Sequence, residues 1–300
     1  MRGGHRQGRD LHLGDVVFGD GRRAAIHDWT EAGPATKRNV LGVLVDAVDY
    51  DVAIEQIMAA ARERRPYSLT ALAVHGVMTG VADPAHRVRL NEFDLVTPDG
   101  QPVRWALNLL YGAGLREWVS GPELVLRLLP LMAAEGLPVY LYGSTPLTLQ
   151  ELAESLTRLV PGLTIAGSEP SKFRTAWPGE LSEIAERVRD SGARVVLVGL
   201  GCPRQEVFVS AMGELLDLPL LAVGAAFDYH AGVLRRAPVW MRRRGLSWLW
   251  RLALEPHRLW RRYLLLNPEY LLRLAAQLLR LWRPDPWPVR RERAPEAVPV

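Results

Sequence analysis

Residues 194–200, RVVLVGL, are apolar almost without a break, and Gly201-Cys202-Pro203-Arg204-Gln205-Glu206 follows at once. So short and continuous an apolar run predicts a strand buried on both faces, as in a parallel sheet covered by helices. The pattern recurs. Residues 139–142 lead into Gly143-Ser144-Thr145-Pro146, residues 220–223 into Gly224-Ala225-Ala226-Phe227-Asp228, and residues 93–96 into Thr97-Pro98-Asp99-Gly100. Residues 40–45, 68–74 and 163–165 read as further strands. Helical segments stand between them, at 52–62 with Asp51 as cap, and at 75–81, 103–110, 121–136, 146–159 and 178–190. Pro122 opens one of these and Gly136 closes it. Strands alternating with helices predict an α/β protein with a doubly wound, mostly parallel, Rossmann-like sheet. Ligands of such sheets gather at the carboxyl ends of the strands, so function is expected at the glycine turns.

Composition divides the chain. Residues 1–39 are rich in Gly, Arg and Asp without apolar periodicity, and a flexible arm is expected there. The α/β domain is expected over 40–232, a basic, aromatic helical appendage over 233–282, and a disordered Pro/Arg-rich tail over 283–300. The formal charge is only +4 over 300 residues, so its location matters more than its total. Beyond Leu234, Arg235, Arg236, Arg242, Arg243, Arg244, Arg251, Arg258, Arg261 and Arg262 alternate with Trp240, Trp248, Trp250 and Trp260, against Glu255 alone among acids up to Tyr263. Arginine supplies charge for an anion, and tryptophan suits the boundary between water and lipid. The appendage ends on a helix expected to start at Asn267-Pro268-Glu269. Arg273, Gln277 and Arg280 fall on one stripe of it, and Leu271, Leu272, Leu274, Leu278, Leu279 and Leu281 cover the rest. Two readings stand: packing on the domain or on another subunit, and lying in a membrane surface.

Cys202 is the only cysteine, which excludes an internal disulfide and argues against a thiolate-rich zinc or iron–sulfur site. His75, His230 and His257 lack metal-ligand spacing. No apolar run follows Met1-Arg2-Gly3-Gly4-His5, and no uninterrupted apolar stretch of about 18 residues occurs. Neither a signal peptide nor a spanning helix is expected, and the chain is expected in the cytoplasm.

Asp99 stands in a Pro-Asp-Gly turn just past a strand, where a general base could reach a ligand; the turn by itself has a purely conformational reading. Asp228, placed likewise after residues 220–223, can serve loop N–H groups or a substrate. Gly143-Ser144 and Gly201-Cys202-Pro203 each open a helix whose N-terminus suits a pyrophosphate, although neither has GxGxxG or Walker A spacing. Gln205 and Glu206 lie in the first turn of the second helix, where Glu206 also complements the helix dipole.

Taken in order, these stretches resemble the WecG/TagA/CpsF family of bacterial glycosyltransferases. The matching residues are Val96-Thr97-Pro98-Asp99-Gly100-Gln101-Pro102-Val103, Val139-Tyr140-Leu141-Tyr142-Gly143-Ser144, Val198-Gly199-Leu200-Gly201-Cys202-Pro203-Arg204-Gln205-Glu206 and Gly224-Ala225-Ala226-Phe227-Asp228-Tyr229-His230-Ala231-Gly232. Arg236-Ala237-Pro238, Trp240, Gly245-Leu246, Trp248-Leu249, Arg251, Glu255-Pro256, Arg258 and Arg261 extend the match. The resemblance implies a metal-independent, inverting transfer without a cofactor. The sugar would pass from a UDP-sugar to a polyprenyl-diphosphate-linked sugar at the cytoplasmic membrane leaflet, for exopolysaccharide, capsule or teichoic acid. It implies Asp99 as base and a donor pocket of Gly143, Ser144, Gly201, Pro203, Gln205, Glu206, Phe227 and Asp228. Arg251, Arg258 and Arg261 would meet the acceptor's diphosphate and the membrane. Many members carry Thr-x-Asn at the end of an early strand; here Ala71 and Ala73 take those places, leaving Thr70 and His75 as pocket candidates. Homo-oligomers are compatible with the appendage, and nucleic acid is not an expected partner. Two rival readings are a non-catalytic nucleotide-sugar-binding or assembly subunit, and an RNA-binding module built on the basic end.

Overall fold

The computed structural model describes residues 37–238, 240–241, 244–287 and 297–300, without the side chains of Arg258 and Arg262. The expected N-terminal arm lies outside the described residues up to residue 36, as do 288–296 of the expected tail and the contacts of Arg258. The elements begin with β1 (Lys37–Val40), β2 (Val43–Asp46), α1 (Tyr50–Glu63), β3 (Tyr67–Leu72), α2 (Val74–Ala82), α3 (Pro84–Glu92), β4 (Leu95–Pro98), α4 (Gln101–Tyr111) and α5 (Gly121–Ala134). They continue with β5 (Val139–Gly143), α6 (Pro146–Leu159), β6 (Ile165–Glu169), α7 (Glu180–Asp190), β7 (Val195–Gly199), α8 (Arg204–Met212), β8 (Pro219–Ala222) and α9 (Ala226–His230). α10 (Ser247–Leu254), α11 (Pro256–Arg261), a π-helical turn (Arg262–Leu266) and α12 (Asn267–Leu278) follow.

Six strands form one parallel sheet in the order β4-β3-β8-β7-β5-β6. Side chains alternate across it. Tyr140, Tyr142, Val196, Val198, Leu220 and Ala222 share one core with residues of α2, α3, α4, α7, α8 and α12. The residues between them, such as Leu141, Leu197 and Leu221, are equally buried on the other face, where α1, α5, α6 and α9 pack. Both faces are covered, which is why these strands read as unbroken apolar runs. All the parallel strands end along one edge, and that edge carries the glycine turns.

Three local expectations change. Residues 40–45 are a hairpin, not one strand: Leu41 and Gly42 turn with φ of 57° and 96°, and Gly42 N–H donates to Asn39 Oδ1 at 2.7 Å. Two consecutive positive φ values make the tight turn that matches strand twist, and Gly42 adopts one without a Cβ penalty. The cap of α1 is Asp49, which accepts from Val52 N–H at 3.0 Å, not Asp51. Asn267 does not start a helix. It continues one, with φ −66° and ψ −45°, directly from the π turn. Pro268 lacks an N–H and crowds the carbonyl four residues back, and the wider turn just before it gives that ring room.

The appendage is part of the same packed unit from Thr36 to Val300. Tyr270 and Leu274 of α12 are buried, Tyr270 Oη donates to the Pro102 carbonyl at 3.1 Å, and Gln277 bridges Leu41 N–H (2.9 Å) and the Asn39 carbonyl (2.8 Å). Parts of the expected disordered tail are held as well. The carbonyls of Pro284, Asp285 and Pro286 accept from Asn39, Arg87 and Asn91, and Val300 is fully buried. Ordered side-chain donors on β1 and α3 satisfy this backbone, which a Pro-rich composition does not reveal.

Candidate active site

The carboxyl edge is built by close backbone approach. A Cβ on Gly143 would lie 2.8 Å from the Gly199 carbonyl group, and one on Gly199 would lie 2.5 Å from the Phe227 ring. The β5 and β7 turns therefore touch through glycine alone. Ser144, at φ 58°, donates its N–H to the Gly199 carbonyl at 3.1 Å, and Thr145 caps α6. Phe227 is buried against Gly199 as the floor of these turns. Gly121 admits the start of α5 to the same edge, since a Cβ there would meet the Val223 carbonyl oxygen at 2.5 Å.

Behind the β7 turn lies a buried polar cluster. Gln205 Nε2 donates to Glu206 Oε1 at 2.9 Å, and Thr70 Oγ1 donates to the same oxygen at 3.0 Å. Glu206 is 0% exposed, and burial pushes its carboxyl above the usual carboxylate range, opposed by Gln205, its own N–H, Thr70 and Cys202. The other carboxylate oxygen, Glu206 Oε2, has no hydrogen-bond partner. The buried Gln205 Oε1 has no hydrogen-bond partner, and Gly224 beside it has no side chain to cover it. A buried acceptor left unmatched is a place for a ligand donor.

Asp99 lies on the same edge, just past β4 and three strands along from β7. Its N–H donates to the Leu72 carbonyl at 3.1 Å, which ties the Pro-Asp-Gly turn to the end of β3, and its side chain is half-buried. Tyr229 belongs to α9, which follows β8 on the same edge. Burial raises the Tyr229 pKa, Arg251 opposes that rise, and the charge of Asp99 adds to it. The Arg251 guanidinium is 5.9 Å from the Tyr229 ring centre, and its buried Nε has no hydrogen-bond partner. Arg236 reaches the α5 end of the site, 3.7 Å from Glu123. Asp99 after β4 and Tyr229 after β8 both stand on the carboxyl edge, and the fold brings Arg251 to Tyr229.

A family model described as "Glycosyl transferase WecG/TagA/CpsF family" matches residues 38–284. This chain belongs to that family. The N-acetylglucosaminyldiphosphoundecaprenol N-acetyl-beta-D-mannosaminyltransferase of Bacillus spizizenii is 30% identical over 189 residues, covering 63% of this chain and 70% of the relative. The protein is therefore a glycosyltransferase on a Rossmann-like sheet, as its motifs implied.

Within this family member, the other expected residues fall as follows. Gly201 and Pro203 are exposed at the mouth of the β7 turn, and Asp228 is half-buried in α9. Arg261 is exposed on α11 with its guanidinium 5.3 Å from the Trp260 ring centre, on the outer side of the appendage. Ala71 and Ala73 lie at the end of β3 and at the α2 cap, so the strand that often offers Thr and Asn to the pocket offers two methyl groups. Sequence reading missed Tyr229 and the start of α5; the DYHAG run and the Ser120-Gly121-Pro122 cap were the available signals.

His86, Cys202 and Glu206 place three ligand-type atoms within 4.8 Å of one another. The Arg89 guanidinium, which can only donate, lies 2.9 Å from His86 Nδ1, so the proton of the neutral ring sits on Nε2. Burial and then Arg89 lower the His86 pKa to about 4, and the same cation opposes a second positive charge there.

Proposed function

We propose that this chain transfers a sugar from a UDP-sugar to a sugar carried on polyprenyl diphosphate, with inversion and without a metal, in the assembly of a bacterial surface polysaccharide. The observation that carries the reading is one carboxyl edge, in a member of this family, that holds Asp99 just past β4, the close-packed Gly143 and Gly199 turns and the buried, unmatched Gln205 Oε1. The acceptor hydroxyl attacks the anomeric carbon, and Asp99 takes its proton as the new C–O bond forms. The bond to the UDP oxygen breaks on the opposite face, and the leaving diphosphate gathers negative charge. The N-terminal turns of α6 and α8 and the neighbouring arginines supply N–H groups and cations to meet that charge. Arg251 and the appendage take the acceptor's diphosphate, a role that also suits Arg258 and Arg261. The Bacillus spizizenii relative is named for N-acetylmannosamine transfer to an N-acetylglucosaminyl diphosphoundecaprenol, which makes that pair the first to test.

The proposed site of action is a membrane surface. No helix among the described residues is long and apolar enough to cross a membrane. Leu264, Leu265, Leu271, Leu272, Leu278, Leu279 and Leu281 are exposed along the appendage beside its arginines. That composition suits an interfacial helix on anionic lipid.

The test is a donor panel of UDP-sugars with a short-chain polyprenyl-diphosphate-N-acetylglucosamine acceptor, with and without EDTA, read by mass spectrometry. An elongated lipid formed equally well in EDTA is the expected result. UDP binding without product from any donor in the panel would count for the non-catalytic reading.

A further inference from the structure

Residues 298–300 lie against the loop that follows β6. The Val298 carbonyl accepts from Ala176 N–H at 2.7 Å, Val300 N–H donates to the Arg174 carbonyl at 2.9 Å, and Pro299 bridges Thr175 in antiparallel sense. Val300 is 0% exposed and packs into the core that holds Tyr140 and Tyr142 of β5. The Val300 main-chain oxygen also accepts from Ser171 Oγ at 3.0 Å.

Ser171 joins that contact to the β5 and β7 turns. Its N–H donates to the Ser144 carbonyl at 3.0 Å. Its hydroxyl accepts from Phe173 N–H at 3.1 Å and from Arg204 Nη2 at 3.4 Å. A hydroxyl has one proton and two lone pairs, so donation to Val300 leaves both lone pairs fixed on Phe173 and Arg204. Phe173 is held at φ 53°, a conformation a non-glycine residue keeps only when its surroundings impose it. Arg204 is the first residue of α8, at the mouth of the β7 turn.

We infer that residues 298–300 are a latch that positions Ser171, and through it Arg204 and Phe173, for the nucleotide end of the donor. The inference rests on the reading of the Gly201–Glu206 turn as part of the donor site. The latch residues touch no substrate. They fix the hydroxyl that aims the arginine, and the loop's far end is independently anchored by Glu180, which accepts from Lys172, Arg174 and Trp177 N–H.

The test compares the full chain with a variant lacking residues 298–300, with Ser171→Ala, and with both changes together. UDP is the probe in calorimetry, and amide hydrogen exchange is followed over residues 171–177. Each single change should weaken UDP binding about tenfold, the loss of one charge-assisted hydrogen bond. The combined variant should be no weaker than either, because both act through one hydroxyl. Turnover at saturating donor should stay within about twofold, since binding and not chemistry is affected. Exchange over the loop should quicken, and Ser171→Thr, which keeps the hydroxyl, should bind UDP as the full chain does. Unchanged affinity and exchange in the shortened chain, or losses that simply add, would overturn the latch. If the unaltered chain binds no UDP, the donor reading fails separately, and exchange alone then decides the latch: faster supports it, unchanged overturns it.

Discussion

β8 and α10 are both rich in large apolar residues and meet opposite fates. Pro219, Leu220, Leu221 and Ala222 are all buried, whereas none of the residues of α10, SWLWRLAL, is. β8 lies between β3 and β7 with helices over both faces, so each of its side chains leaves water. α10 stands beyond the sheet edge, with Trp250 Nε1 donating to the Arg235 carbonyl and Trp248 tilted against Tyr263. Apolar content therefore reports two different needs in one chain. In the sheet it fills a closed core; in the appendage it leaves, among the described residues, a basic surface with exposed leucines and tryptophans.

The largest effect that would test this division is catalytic. Asp99→Asn should lower turnover by about 10²- to 10⁴-fold, the usual worth of a general base, while UDP affinity and the thermal midpoint hold. Near-normal turnover would place the base elsewhere on the edge. Next comes stability. Leu221→Ala, in a residue with no exposure, should cost about 2–5 kcal/mol in urea unfolding. Leu272→Ala, at 73% exposure, should stay within about 0.5 kcal/mol. The same leucine counts in the other currency: changing Leu272, Leu279 and Leu281 together to Asp should abolish co-sedimentation with anionic vesicles and leave the fold intact. Retained vesicle binding would show that the arginines act alone. Truncating the appendage would blur that result, because α12 buries Tyr270 and Leu274.

Gln277→Ala sits at the boundary of the two regions. It strands the Leu41 N–H and should destabilise by about 1–3 kcal/mol, far more than its surface-stripe pattern suggests. A loss below about 0.3 kcal/mol would mean that water replaces it.

The smallest effect is a pair of opposed titrations. Burial raises the Asp46 pKa from 3.8 to about 6, against Lys37 and the Val96 N–H. Its ionised form is penalised in the folded state, so stability is gained as pH falls from about 6 toward 3.8. Burial and then Arg236 lower His230 from 6.5 to about 4, with Nε2 donating to the Pro122 carbonyl. Stability is fully present above 6.5 and is lost as pH falls toward 4. The two trends offset each other across pH 6–4. Asp46→Asn should therefore make the thermal midpoint fall more steeply with acid in that window, and His230→Gln should flatten or reverse the slope. Parallel curves for both variants would refute the assignment.

Much of the sheet was legible because strands buried on both faces leave an unmistakable apolar run, as at β7. The glycine turns were legible for a related reason: Gly143 and Gly199 sit where backbones meet. The hairpin at Leu41-Gly42 was not separated from its strands, and α3 went unread although Asp83-Pro84 announces it. Glu206 and Thr70 look like site residues in sequence, and the structure adds that Thr70 and Gln205 share Glu206 Oε1 while Oε2 stays unmatched. Tyr229 was not singled out, because its contact with Arg251 is made only by the fold.

By itself the sequence determined the alternation of strands and helices, the glycine turns, the basic and aromatic end, and the motif set that marks the family. Those are local properties, written in period, turn chemistry and residue type. Only the tertiary structure decided which residues meet: Arg251 with Tyr229, Ser171 with Val300, Gln277 with Leu41, and which face of α12 docks and which stays exposed. Such pairings depend on strand order and helix placement, which are fixed by packing across the whole unit and leave no mark at any one position.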